Sequence, residues 1–147
     1  MGDIQGTYDR YHSAGAIGAP ASLEHFNLVS GVATEEIAYG LAVEYTAENQ
    51  AAIADSTGTF AGISSRRQFG TPAPADAYEA NTDILIQRSG LVWVQAKSAV
   101  TFGQGAAFLD ATGELVATGT ANSTDIPGAR FESAGALDDI VKLRLAY

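Results

Sequence analysis

An all-β fold is predicted for this chain, and three observations predict it. From Ile37 onward, bulky apolar residues alternate with small or polar ones at a period of two. Turn-forming groups of Gly, Asp, Asn and Ser recur about every 8–12 residues. No segment sustains the 3.6-residue period of an amphipathic helix. Together these specify a small barrel or sandwich, jelly-roll-like, of about eight or nine short strands behind an extended N-terminal arm.

In this reading the arm is residues 1–34 and the β domain residues 35–147. The arm scatters Gly and Ala and holds neither period. Its spaced apolar residues, Tyr8, Tyr11 and Phe26 among them, suit a segment that orders on a partner, each filling a separate pocket. A short helix over 22–28, capped by Ser22, is the one helical expectation. Ile37, Tyr39, Leu41, Val43 and Tyr45 then alternate with Ala38, Gly40, Ala42 and Glu44. That predicts a single strand with one bulky buried face and one small face that another backbone can approach. A weak strand over 51–54 and a firmer one over 59–64 flank a turn at 55–58. Residues 66–80 contain Gly70, Pro72 and Pro74 and read as a long surface loop.

Ser89-Gly90 separates two β-rich runs, 83–88 and 91–96, and predicts a tight hairpin. Leu91, Val92, Trp93 and Val94 are almost wholly apolar, which places Trp93 in the core with Phe60 and Phe131. Turns at 103–105 and 110–113 bracket a strand at 106–109, and another strand follows at 114–118. Residues 119–126 read as a polar loop and 129–133 as a strand. The closing strand, 140–147, turns Val141, Leu143 and Leu145 inward.

Composition narrows the function classes. A chain of 147 residues with 46% hydrophobic content is long enough and apolar enough to bury a core as one globular domain. With no cysteine there are no disulfides, thiolate nucleophiles or cysteine metal sites. No stretch approaches the ~18 apolar residues of a membrane span, and the first residues have neither a signal-peptide pattern nor a myristoylation signal. The net charge is −9. Residues 1–65 contain a single base, Arg10, and Arg66-Arg67 is the one adjacent basic pair. A polyanion such as nucleic acid finds no basic stripe here.

Catalytic and ligand motifs do not assemble. His12 and His25 lie on the arm with no metal-ligand spacing, so no metal site is expected. Asp138-Asp139 could offer carboxylates to calcium but lack the loop that a calcium site needs. There is no nucleophile elbow around Ser64-Ser65. Asp55-Ser56-Thr57-Gly58 and Asp110-Ala111-Thr112-Gly113 read as strand-connecting turns. Gly103-Gln104-Gly105 is followed by no helix that could cradle phosphate. Lys97 stands at a strand end rather than at the hairpin tip of a lipoyl-type domain. The chain is expected to be a binding module with no cofactor and no enzymatic activity.

Four segments carry a resemblance to the tailed-phage structural cement, or capsid decoration, proteins. They are IAYGLAV (37–43), NQAAIADSTGTFAGISSRR (49–67), DILIQRSGLVWVQAKSAVTFGQGAAFLDATGEL (83–115) and IPGARFESAGALDDIVKLRLAY (126–147). Their order and spacing match, while the arm matches less well. The resemblance implies a virion protein made in the bacterial host cytoplasm and bound to the exterior of an HK97-like head. It would bridge neighbouring capsomers non-covalently, often as a dimer or trimer, with the major capsid protein as partner and neither nucleic acid nor membrane involved. Expected contacts are Tyr8, Tyr11 and Phe26 on the arm and Arg66 and Arg67 on the following loop. Deleting residues 1–30 is expected to leave a folded domain that no longer binds capsids. A virion-displayed carbohydrate-binding or adhesive β module is the alternative reading.

Overall fold

The computed structural model describes residues 15–22, 24, 26–66 and 77–145. Eleven strands run through them: β1 (Asn27–Ala33), β2 (Ile37–Ala38), β3 (Ala42–Ala47), β4 (Gln50–Ile53), β5 (Thr59–Ser64), β6 (Ala77–Tyr78), β7 (Asp83–Gln95), β8 (Gly105–Leu109), β9 (Leu115–Ala117), β10 (Ser123–Phe131) and β11 (Ile140–Leu145). Among the described residues there is no helix. At the expected helix, the Ser22 hydroxyl accepts the Glu24 N–H at 2.9 Å, and the chain then extends into β1.

The strands close into two small rings that share β7. In the first, the pairing runs β1-β4-β3-β5-β7 and returns to β1. In the second, β7 pairs with β11, then β10, β8 and β9 follow. Residue Ala96, just past β7, bridges back to Leu115 of β9. The two-stranded β2–β6 ribbon is a separate sheet that packs on the first ring. Each ring has its own core. Val43, Ala51, Ile84 and Ile86 belong to the first, together with Ile37, Tyr39 and Tyr78 from the ribbon and its flank. Val92, Val94, Phe108, Leu115, Phe131, Val141, Leu143 and Leu145 belong to the second. Burying a side chain of this size stabilises the fold by roughly 1.5–3 kcal/mol before entropy is counted.

The expected hairpin at Ser89-Gly90 does not form. Residues 83–95 are one continuous strand of 13 residues. Ser89 pairs with Asn27 of β1 while Gly90 pairs with Leu145 of β11, so the strand changes rings between them. Gly90 has φ +91°, which lets the chain bend there without a side-chain penalty. Gln87 is fully buried beside the bend, and its Nε2 donates to the carbonyls of Ser89 and Leu91, both at 3.0 Å. A positive-φ glycine between apolar runs is the local signature of a hairpin and of a bend alike. Here the two runs found partners in different rings.

The expected strand over residues 37–45 is likewise broken. Gly40, at φ +78°, separates β2 from β3. A β-carbon there would collide with the Ile17 side chain. The Ser64 hydroxyl stitches the break, donating to the Ala38 carbonyl at 2.7 Å and accepting the Leu41 N–H at 3.0 Å. The alternation survives it, since Ile37, Tyr39 and Val43 all reach the first core while Ala42 faces the second.

Three further expectations change. The polar loop expected to Ile126 ends earlier, because β10 begins at Ser123. Pro127 is tolerated in that strand because the register shifts between Asp125 and Arg130, where Gly128 takes φ +75°. Trp93 is not in the core but half-buried. With Val92 and Val94 pointing inward, the period of two turns Trp93 to the outer face. Residues 27–33, read from sequence as part of the arm, form β1 and pair with β7 along its first half.

Candidate docking surface

A strap of small residues running from Gly15 to Ala21 pairs with the edge of the second half of β7 opposite β11, through an antiparallel bridge between Pro20 and Val92. Gly18 N–H donates to the Trp93 carbonyl at 2.7 Å, Trp93 N–H to Ala19 at 3.0 Å and Ala21 N–H to Leu91 at 2.9 Å. The other edge of the strap is held by the end of β5. Arg66 N–H donates to the Gly18 carbonyl at 2.8 Å, Arg66 Nε to Ile17 at 3.1 Å and Ser65 Oγ to Gly18 at 3.3 Å. Gly15 lies so close to the Trp93 indole that a side chain there would clash with it. The Lys142 ammonium stands 5.5 Å from the Trp93 ring centre, adding a cation–π contact. Arg144 of β11 ties down the segment before β1: its Nη1 reaches Glu24 at 2.6 Å and its Nε reaches Glu132 at 2.7 Å.

A cleft of about 440 Å³ opens where the strap meets both rings, with Ile17, Tyr39, Leu41, Arg66, Gln95 and Glu114 among its walls. Arg66, one of the expected contact residues, is engaged here, with its guanidinium 5.0 Å from the Tyr39 ring centre. Phe26 is half-buried immediately before β1. Tyr8, Tyr11 and Arg67 lie outside the described residues. Sequence reasoning misses the strap because its scattered Gly and Ala hold neither a period of two nor one of 3.6. The same residues permit the close backbone approach that docks it on β7.

The polar groups weighed from sequence as chemistry hold turns together. Ser64 and Ser65 are fully buried and bonded to backbone carbonyls. Asp138 pairs with Lys97 at 2.8 Å, and Asp139 Oδ2 accepts the Ala136 N–H at 2.9 Å. Among the described residues, no three acidic or histidine side chains come together as a metal-binding group. Asp110 Oδ1 accepts the Thr124 hydroxyl at 2.6 Å.

One acid was misread. Glu44, placed by the alternation on the small face of its strand, is only 2% exposed. Burial raises its pKa, and a hydrogen bond shared with the Asp55 carboxyl raises it further. Asp55 is lowered to about 2 by that same bond and by the Thr57 hydroxyl and N–H. The pair fixes the exposed 55–58 turn, where Ser56 takes φ +72°. Protonated Glu44 therefore stabilises the fold below its ordinary 4.5, and this contribution is lost as pH rises through the raised value. Asp55 contributes stability above its ordinary 3.8, lost as pH falls toward 2. Glu44→Gln is expected to raise the melting temperature at pH 7–8 and to flatten its decline with rising pH. A melting series from pH 4 to pH 8 checks this. A variant less stable than the parent at pH 7 would show that the charged form of Glu44 supports the turn.

The described residues thus form two β rings whose serines and acids are engaged in hydrogen bonds and ion pairs of the strap and turns. The family model described as "Structural cement protein (E217 gp24/Pam3 gp6)" matches residues 4–146, and the chain belongs to that family. Among solved structures, a chain from the capsid of Myoviridae phage XM1 aligns over 99% of this chain and 98% of its own, with a TM-score of 0.77 at 16% identity. A more distant likeness is to the head fibre gp8.5 N base of bacteriophage phi29, with a TM-score of 0.47 and 12% identity over 83% of this chain and 95% of that one. No curated protein matches. The chain is a phage structural protein with a capsid cement role, as the four sequence segments imply.

Proposed function

We propose that this protein binds the exterior of an HK97-like head, contacts the major capsid protein and bridges neighbouring capsomers, acting by binding alone and without catalysis. The observation that carries the reading is the family match along residues 4–146, which takes in both rings and the strap. The net charge of −9 supports the outer surface, because an acidic protein is repelled by packaged DNA. A protein that binds the assembled lattice and not the free subunit stabilises the lattice by mass action. Modest contacts repeated over many copies then resist internal pressure. Tyr8, Tyr11, Phe26, Arg66 and Arg67 remain the proposed arm and loop contacts. The strap supports this, because it fixes the point beside Trp93 where the arm joins the body. Copies of the chain are proposed to associate as dimers or trimers on the head.

Co-sedimentation with expanded heads lacking the protein, followed by heating, tests the reading. Saturable binding that raises the temperature of head disruption is the expected result. Failure to bind heads of the matched phage would overturn it and favour an adhesive module.

A further inference from the structure

We infer that the 55–58 turn is a proton-operated latch: it stays shut beside the seam between the two rings while the Glu44 and Asp55 carboxyls share a proton, and it opens when that proton leaves. The inference stands on the fold and is independent of the cement reading.

Glu44 is the one charged side chain among the described residues that is buried. It stands on β3 between Ala52 of β4 and Phe60 of β5, its register partners. The turn that joins β4 to β5 closes over it. A β-carbon on Gly58 would stand 3.0 Å from Glu44 Cδ and 2.6 Å from the Tyr45 carbonyl oxygen. Thr57 Oγ1 lies 2.5 Å from Asp55 Oδ1 and 3.5 Å from Glu44 Oε1. One hydroxyl proton cannot serve both acids, and the shorter contact gives it to Asp55. The two carboxyls also meet directly, and they hydrogen-bond only when one of them carries a proton.

Little else holds the turn. Residues 55–58 are all exposed, so no apolar side chain anchors them. Ser56 takes φ +72°, a backbone conformation disfavoured for serine. Thr57 N–H donates to Asp55 Oδ1 at 3.0 Å, a bond within the turn itself. A segment with so few buried apolar contacts opens locally before the fold does.

No base relieves the two acids. The ion pairs among the described residues include neither Glu44 nor Asp55. The 110–113 turn of the second ring meets β3 at Ala42, and its Asp110 is bonded to the Thr124 hydroxyl. Losing the shared proton therefore leaves two carboxylates in contact, one of them buried. The Gly58 and Asp55 N–H groups favour the charged form of Glu44, but burial and the Asp55 carboxyl outweigh them. Opening the turn admits water to both acids. The shut turn is thus fully favoured below the ordinary 4.5 of Glu44 and weakens as pH rises through its raised value. Phe60, which follows the turn, packs on the second core and stacks on Phe108 with ring centres 6.0 Å apart. The latch therefore steadies a contact between the rings.

The test is amide hydrogen exchange of the full-length protein at pH 5 and pH 8, corrected for the intrinsic effect of pH on exchange. Protection over residues 57–60 is expected to fall at least about tenfold between the two, tenfold for each unit by which the pKa of Glu44 is higher in the shut turn than in the open one. Strands β7 and β11 are expected to keep theirs. Glu44→Gln carries a permanent donor in place of the shared proton and is expected to hold the turn at pH 8 as the parent does at pH 5. Asp55→Asn removes the like charge and is expected to shrink the dependence on pH. A parent equally protected at both pH values would overturn the inference. So would a dependence that survives in Glu44→Gln, or one that Asp55→Asn leaves unchanged. A loss as large in β7 and β11 as in the turn would overturn it too, since the whole fold would then be loosening.

Discussion

Gly62→Ala is expected to destabilise the fold by about 3–5 kcal/mol, combining the cost of overpacking with that of a disfavoured backbone. Gly62 lies in β5 at φ +153°, and a β-carbon built there would overlap the Gln87 carbonyl of β7. It would also stand 2.9 Å from both the Gln87 carbonyl carbon and Ile86 Cγ2. The obstacle is mainly backbone, at the seam where Ile63 pairs with Gln87, so it cannot turn aside as a flexible side chain would. Against a total stability of about 5–15 kcal/mol this is a large fraction, and the melting temperature should fall by about 10–15 °C. Gly103→Ala is the control. Its surroundings are open, and only the positive φ opposes it, at about 1–2 kcal/mol. Thermal melts of the two variants read the difference directly. Equal losses at Gly62 and Gly103 would mean that the β5–β7 seam is wider than described.

Removing residues 1–30 is expected to leave a chain that does not fold stably, whereas removing residues 1–14 preserves every contact described for the body. This reverses the expectation from sequence that the longer deletion spares the domain. The longer cut takes the strap away from Trp93 and Arg66 and removes the first half of β1 from its pairing with β7. It also removes Val29, which packs on the first core, and Glu24, which pairs with Arg144. Each lost backbone hydrogen bond costs about 0.5–1.5 kcal/mol, and several go at once from a ring that then has an open side. Circular dichroism and limited proteolysis of both truncations decide the point. A cooperative melt from the longer deletion near that of the parent would show that strap and β1 are dispensable. Capsid binding by the shorter deletion then tests the arm without a folding defect to confuse it.

Much of the fold was legible. The period of two marked Ile37, Tyr39, Val43, Val141, Leu143 and Leu145 as inward-facing, and all are buried. The strand over 59–64 and the turns at 55–58 and 110–113 stand where turn chemistry put them. The family was legible from four short segments in order, because ring-forming strands need bulky and small residues at set spacings. The environment of single side chains was not. Phe102 reads locally as one more apolar residue, and Glu44 as one more solvated acid. Neither exposure nor burial is visible without the neighbouring loop or strand.

Sequence alone determined the β class, the buried face of most strands and the absence of cysteine chemistry, since these depend on alternation and composition within a few residues. Tertiary structure alone decided that Gly90 bends a shared strand instead of turning a hairpin, that Gly40 divides a strand, and that Gly15 to Ala21 form a bonded strap. In each case the local conformational preference, a positive φ or a small side chain, fits two outcomes equally. The choice lies with partners such as Leu145, Ile17 and Trp93, which are distant in the chain and near only once both rings have closed.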